Sequence, residues 1–337
     1  MEPEPLADAN RRQFLDAKFQ ESALKFIKTY TSSSSELDVD DLKIAKTAVG
    51  ALLNSCSDFG LSIYSHQIQH FNVRLAPARS CLISLGAPAE LLTLSTTLYP
   101  PAHWASKPED AGKLEDLIAL YQIRIGLADW SWRALSAINV GSACPSSTKH
   151  YISYHATVEK SPLGTESIRS LLSTFSGFIP GQPDSSPLVQ HSESRNALVE
   201  ADLESLEECV SLLEALSLDS EDFRLAFLND EATLISPLLD FIEKGDYPEY
   251  WKLDGEEESK KRERTFDVCK AGTIKALISV AGDTQSMEIL WGKGDALITR
   301  LVTWIKGNSS THRDDLVIAG CLTLGNLARK GRLSSPL

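Results

Sequence analysis

Apolar residues recur at three- and four-residue steps along most of this chain. Leu203, Leu206, Val210, Leu213 and Leu216 form one such series, while Asp202, Glu204, Glu207, Glu208 and Glu214 fill the remaining positions. That spacing predicts an amphipathic helix with an acidic outer face. Leu234/Ile235, Leu238/Leu239 and Ile242 predict a second helix, and Leu297/Ile298, Leu301/Val302 and Ile305 a third. Strands need alternating runs rich in β-branched residues, and the apolar runs here are punctuated at helical steps instead. The predicted class is all-α. Breaks fall at TSSSSE (31–36), YPPAHWASKPED (99–110) and GDYPEYWKLDGEEE (245–258), and the carboxylates Asp38, Asp40 and Asp41 suit a helix N-terminus. Between Gly141 and Arg195, CPSST, SPLG and PGQPDSSP predict loops, interrupted by a short helix around Thr165 to Phe175.

The pattern also repeats. FLNDEATLISPLLDFIEKG, from Phe227, matches LWGKGDALITRLVTWIKGN, from Leu290, at an offset of 63, with Leu238 on Leu301 and Ile242 on Ile305. At an offset of 147, LLTLSTTLYPPAHW falls on LLDFIEKGDYPEYW, so that Pro101 and Trp104 meet Pro248 and Trp251. At an offset of 48, AGTIKALISVAG falls on AGCLTLGNLARK. A recurrence of helical units is the trace of stacked-helix repeats, and spacings above the ~42 residues of a tight repeat imply insertions between helices.

Composition narrows the setting. Of 337 residues, 42% are hydrophobic and 23% charged, enough apolar content for a packed core. The net charge of −13 disfavours nucleic acid and anionic lipid surfaces and favours a basic partner. Cys56, Cys81, Cys144, Cys209, Cys269 and Cys321 are widely spaced, without a C-x-x-C pair, and read as buried thiols in a reducing compartment. The first twenty residues hold no apolar signal-peptide core, and no run reaches the ~18 apolar residues of a membrane span. A cytoplasmic protein without membrane insertion is expected, with the nucleus also open to it.

DLVIAGCLTLGNLARK, Asp315 to Lys330, resembles the second and third helices of an armadillo repeat, with Ala319, Gly320 and Gly325 as small packing residues and Asn326 as the groove-facing Asn. KTAVGALLNSCSDFG, from Lys46, is a further copy with Asn54 in the corresponding place, and ALSAINV and ALISVAG are copies without the Asn. With the acidic chain and its long inter-helix insertions, DLVIAGCLTLGNLAR resembles the small-GTPase GDP-dissociation stimulators of the smg GDS type. The resemblance implies one right-handed armadillo/HEAT-like superhelical solenoid over 1–337, with 141–195 as a loop-rich insertion. It also implies a non-catalytic guanine-nucleotide exchange stimulator or escort for Rho- or Rap-like GTPases that carry a basic, prenylated C-terminus. A general armadillo scaffold or adaptor, binding extended peptides without exchange activity, is the alternative. The chain stops at RKGRLSSPL, directly after the inner helix of a repeat and without a polar capping repeat, so a truncated form is expected.

Candidate chemistry is sparse. There is no G-x-S-x-G and no phosphate-binding loop, and Gly292-Lys293-Gly294 is too short to cradle a phosphate. His66 and His70 stand at i, i+4, but no Glu follows His66 and no third ligand lies nearby, so neither a metal nor another cofactor is expected. The segment Glu200 to Asp222 carries acidic residues without Lys or Arg, and Glu200, Asp202, Glu204, Glu207 and Glu208 are the candidate surface for steering a basic partner; a solvated helix face is the plainer reading. ESKKRER (258–264) reads as solvated helix surface or loop. Asn54 and Asn326 offer a donor and an acceptor each, able to clamp a peptide backbone in a groove or to bridge a neighbouring helix. Arg329 is one turn beyond Asn326 along the same groove.

Overall fold

The computed structural model describes residues 18–31, 38–56, 78, 80–97, 99, 104, 114–139, 165–179, 187–219, 223, 235–252, 256–283, 295–308 and 313–329. Most of the 141–195 insertion, residues 32–36 of the 31–36 break, His66, His70, Cys144, Leu234 and Gly292-Lys293-Gly294 lie outside them. The described residues are helical and contain no strand. In chain order the helices are α1 (Phe19–Thr31), α2 (Val39–Cys56), α3 (Ala87–Thr97), α4 (Leu114–Asn139), α5 (Thr165–Thr174), α6 (Pro187–Gln190), α7 (Ser192–Asp219), α8 (Ser236–Lys244), α9 (Glu256–Gly282), α10 (Asp295–Asn308) and α11 (Asp314–Ala328). Short 3-10 turns at Phe175–Phe178 and Glu249–Trp251 follow α5 and α8. No helix is long and apolar enough to cross a membrane among the described residues.

Local chemistry sets several boundaries. Asp38 Oδ1 accepts the backbone N–H groups of Asp40 and Asp41 at 2.9 and 2.8 Å, satisfying two donors that the first turn of α2 leaves open. Gly86, at φ +79°, turns the chain into α3 in a conformation that side chains rarely adopt. At the other end of α8, the Arg313 guanidinium donates to the carbonyls of Ile242 and Glu243, and Lys270 donates to Gly245 at 2.7 Å. These carbonyls would otherwise lack partners at the helix terminus.

The helices pack in the order in which they occur. The longer α2, α4, α7, α9 and α11 form a row in which each touches the next. In a second row α1 packs on α3, α3 on α5 and α5 on α8, and Arg300 of α10 reaches back to Asp240 and Glu243 of α8 at 2.7 and 2.6 Å. Each member of the second row packs against the long helix that follows it. Buried side chains run as one continuous cluster from Ala23 to Leu327.

Small residues permit the close approaches. Gly50 of α2 lies against the ring of Trp130, and Gly320 of α11 lies against Ile305 and the Leu301 carbonyl. The offset of 63 maps α8 onto α10, each packed on a long helix, with Leu238 and Leu301 both buried. The offset of 48 maps the end of α9 onto α11, its neighbour in the row. Trp104 and Trp251 are both buried, and an aromatic cluster of Phe175, Phe178, Phe241, Tyr247, Trp251 and Phe266 joins α8, α9 and the two 3-10 turns, with Phe175 tilted against Phe241 and the other contacts edge-on. The expectation of buried thiols holds for Cys56, Cys209 and Cys269; Cys81 is half-buried and Cys321 stands exposed on α11, away from the core.

Candidate functional site

The helix α7 lies at the centre of the molecule. It packs against α4, α5, α6 and α9, so its apolar positions wrap most of its circumference and only a narrow strip remains for charge. Glu204, Glu207 and Glu208 project from that strip at i, i+3 and i+4, on one face. Opposite them, α4 presents Asp129, Trp132 and Arg133 at the same spacing. Between the two helices runs a cleft of about 390 Å³, with Tyr99, Ile125 and Ala128 adding to its lining.

The cleft is acidic. Arg133 donates to Asp129 at 2.7 Å, but this one cation faces Asp129, Glu204, Glu207 and Glu208. Partial burial raises the Glu204 carboxyl above its ordinary range, and the carboxylates of Asp129 and Glu200 raise it further, with Arg133 opposing them. A cation entering the cleft relieves that crowding. Trp132 is 5% exposed, and its buried indole N–H has no hydrogen-bond partner among the described residues. The arrangement therefore provides negative charge and an apolar wall, features suited to a Lys- or Arg-bearing segment. Among the described residues, no group of three His, Cys, Asp or Glu side chains is placed to hold a metal ion.

The predicted acidic surface is divided by the fold. Glu204, Glu207 and Glu208 line the cleft, whereas Glu200, exposed one turn before Glu204, lies outside its lining and meets Arg262 of α9 at 2.8 Å. Arg262, expected within a solvated segment, is buried. Asp202 does not belong to a surface at all: its exposure is 0%. The Trp104 indole N–H donates to its Oδ2 at 2.7 Å and the Tyr99 hydroxyl to its Oδ1 at 3.0 Å. Burial, followed by the Asp202 charge, pushes the Tyr99 hydroxyl well above its usual range, so it stays a donor. Asp202 is thus a structural anchor that ties the segment after α3 to α7, and it is withdrawn from the steering surface.

The groove candidates are far apart. Asn54 is exposed on the last turn of α2 and Asn326 lies on α11, at opposite ends of the row of long helices. Asn326 is half-buried and donates one amide N–H to the Ile278 carbonyl of α9 at 3.0 Å, so one of its two donors bridges two helices. Arg329 is exposed just beyond α11. Sequence reasoning did not single out Asp129, Trp132 and Arg133, whose i, i+3, i+4 spacing in ADWSWR was the available signal.

No protein-family model, curated protein or solved structure matches the chain.

Proposed function

We propose that the chain is a non-catalytic armadillo/HEAT-like helical solenoid that binds a small GTPase of the Rho or Rap type and promotes GDP release or escorts it. The observation that carries this reading is the packing order. Short helices each lie against a following long helix and the long helices stack in sequence. The segment Asp315 to Lys330, expected to span the second and third helices of an armadillo repeat, instead forms one unbroken helix as far as Ala328, so support for a solenoid comes from the packing order and not from that segment. Stacked pairs of this kind present extended side-chain surfaces for another macromolecule. The acidic cleft between α4 and α7 then engages basic residues of the GTPase tail, and its charge speeds encounter.

Acceleration of GDP release requires no covalent step. A protein that binds the nucleotide-loosened GTPase more tightly than the GDP-bound form weakens GDP binding by the same factor. The direct test is the affinity for one GTPase in its nucleotide-free and GDP-bound states. A stimulator prefers the nucleotide-free form, and equal affinities refute the exchange mechanism. The cleft itself favours one second reading, a scaffold that takes basic extended peptides. That reading predicts binding of an isolated basic peptide as tight as binding of the whole GTPase.

A further inference from the structure

The cleft between α4 and α7 holds a cation of its own. Arg133 stands one turn after Asp129 on α4, lines the cleft and donates from Nε to Asp129 Oδ1 at 2.7 Å. Its charge also reaches Glu204 on the facing helix, where it opposes the carboxylates of Asp129, Glu200 and Glu207. The guanidinium therefore occupies the region of negative potential that a Lys or Arg of a partner would enter, and two cations brought there repel each other. The hold on it is loose by the standard of this molecule. Arg313 grips Asp315 through Nε and Nη2 at 3.0 Å each, and Arg300 spans Asp240 and Glu243 through Nη2 and Nε at 2.7 and 2.9 Å. Paired contacts of that kind fix the guanidinium plane. Arg133 reaches Asp129 through Nε alone, and its side chain is 63% exposed, against 24% for Arg300 and 38% for Arg313. An exposed i, i+4 pair is weakly stabilising, and a long side chain that leaves one regains rotamer freedom.

We propose that Arg133 is a built-in competitor for the cleft, a resident cation that a basic segment must displace from Asp129 before it meets the full charge of Asp129 and Glu204. The proposal rests on the reading of the cleft as the seat of a basic tail. Asp129 is already paired inside the molecule, so its charge is offered to a partner only in exchange for Arg133. Glu204 makes no ion pair among the described residues, but a cation that approaches it comes within range of the same guanidinium. Both routes into the cleft are thus weakened by one side chain. The sign of its effect sets this role apart. Truncating a side chain that lines a binding site ordinarily weakens binding, whereas removing a competing cation strengthens the binding of another.

Binding of a fluorescein-labelled hexalysine peptide to the full chain, followed by fluorescence anisotropy at low salt, tests it. Arg133→Gln should bind about three- to tenfold more tightly than wild type, the effect of removing one cation at close range. Arg133→Lys keeps the charge and should bind like wild type. Arg169→Gln removes a cation from α5, outside the cleft lining, and serves as the control for net charge, with a change of less than about twofold. All three should keep the helical circular dichroism of wild type. Binding by Arg133→Gln that is equal to or weaker than that of wild type overturns the proposal, as does an equal gain in Arg169→Gln. The double variant Glu204→Gln with Glu207→Gln separates this failure from failure of the cleft reading. If the double variant weakens binding while Arg133→Gln leaves it unchanged, the cleft stands and only the competitor falls. If no variant alters binding, or if neither wild type nor Arg133→Gln binds the peptide, both fall.

Discussion

Replacing Asp202 with alanine should unfold the protein more readily without first touching its surface. The carboxylate accepts from Trp104 Nε1 at 2.7 Å and from Tyr99 Oη at 3.0 Å inside a site with 0% exposure. Alanine leaves two buried donors without an acceptor, each costing about 1–3 kcal/mol, so the expected loss is about 2–6 kcal/mol. Tyr99 recovers part of this because its hydroxyl also reaches the Leu198 carbonyl at 3.4 Å, which places the expectation in the lower half of that range. Asp202→Asn keeps an acceptor for Trp104 and should cost about 1–2 kcal/mol. Urea unfolding followed by far-UV circular dichroism supplies the free energies. A cycle combining Asp202→Ala with Trp104→Phe isolates the coupling between the two side chains. Glu207→Ala, on the exposed strip, is the comparison and should fall within about 0.5 kcal/mol of wild type. If Asp202→Ala behaves like Glu207→Ala, the carboxylate lies in solvent and the reasoning fails.

The remaining predictions test other parts of the molecule. Gly50 lies against the Trp130 ring, so Gly50→Val should destabilise by about 1–3 kcal/mol through overpacking between α2 and α4, visible as a lowered melting temperature. The Glu204 carboxyl is raised in the folded protein, so its charge opposes folding at neutral pH and the contribution disappears once it is protonated. Glu204→Gln should therefore shift the urea midpoint slightly upward at pH 7, with the gain vanishing as the pH falls below the carboxylate range. Asp315 behaves oppositely: hydrogen bonding and charge from Arg313 outweigh burial and hold its carboxyl below the usual range. Its stabilisation is present above about pH 4 and is lost as the pH falls through the lowered value, an effect that Arg313→Ala should weaken, with Lys270 retaining part of it, in an acid titration followed by tryptophan fluorescence.

Helical structure was legible because short-range spacing alone determines it. Leu238 and Ile242, with Leu301 and Ile305 at the offset of 63, fall on α8 and α10, and the Asp38 cluster falls at the start of α2. Asp202 was misread for a physical reason. The one-face pattern of Leu203, Leu206 and Val210 describes a helix on the outside of a protein, whereas α7 is packed on several sides. Position 202 faces a second packed side whose partners, Tyr99 and Trp104, lie about a hundred residues earlier in the chain. Arg262 was hidden in the same way, since only the juxtaposition of α7 and α9 shows that it meets Glu200. The cleft was half visible: the glutamates stood out as a charge run, but the wall that Asp129, Trp132 and Arg133 supply depends on α4 lying alongside α7. Asn326 retained both readings in the sequence, and its 3.0 Å bond to Ile278 assigns one of its two donors to the helix bridge.

The most direct test of the proposed function is the release of a fluorescent GDP analogue from purified Rho- and Rap-like GTPases, prenylated and unprenylated, at low and moderate salt. The account predicts faster release in the presence of this protein, with an acceleration that weakens with salt and with Glu204→Gln and Glu207→Gln together. An unchanged release rate from GTPase that is demonstrably bound would contradict it.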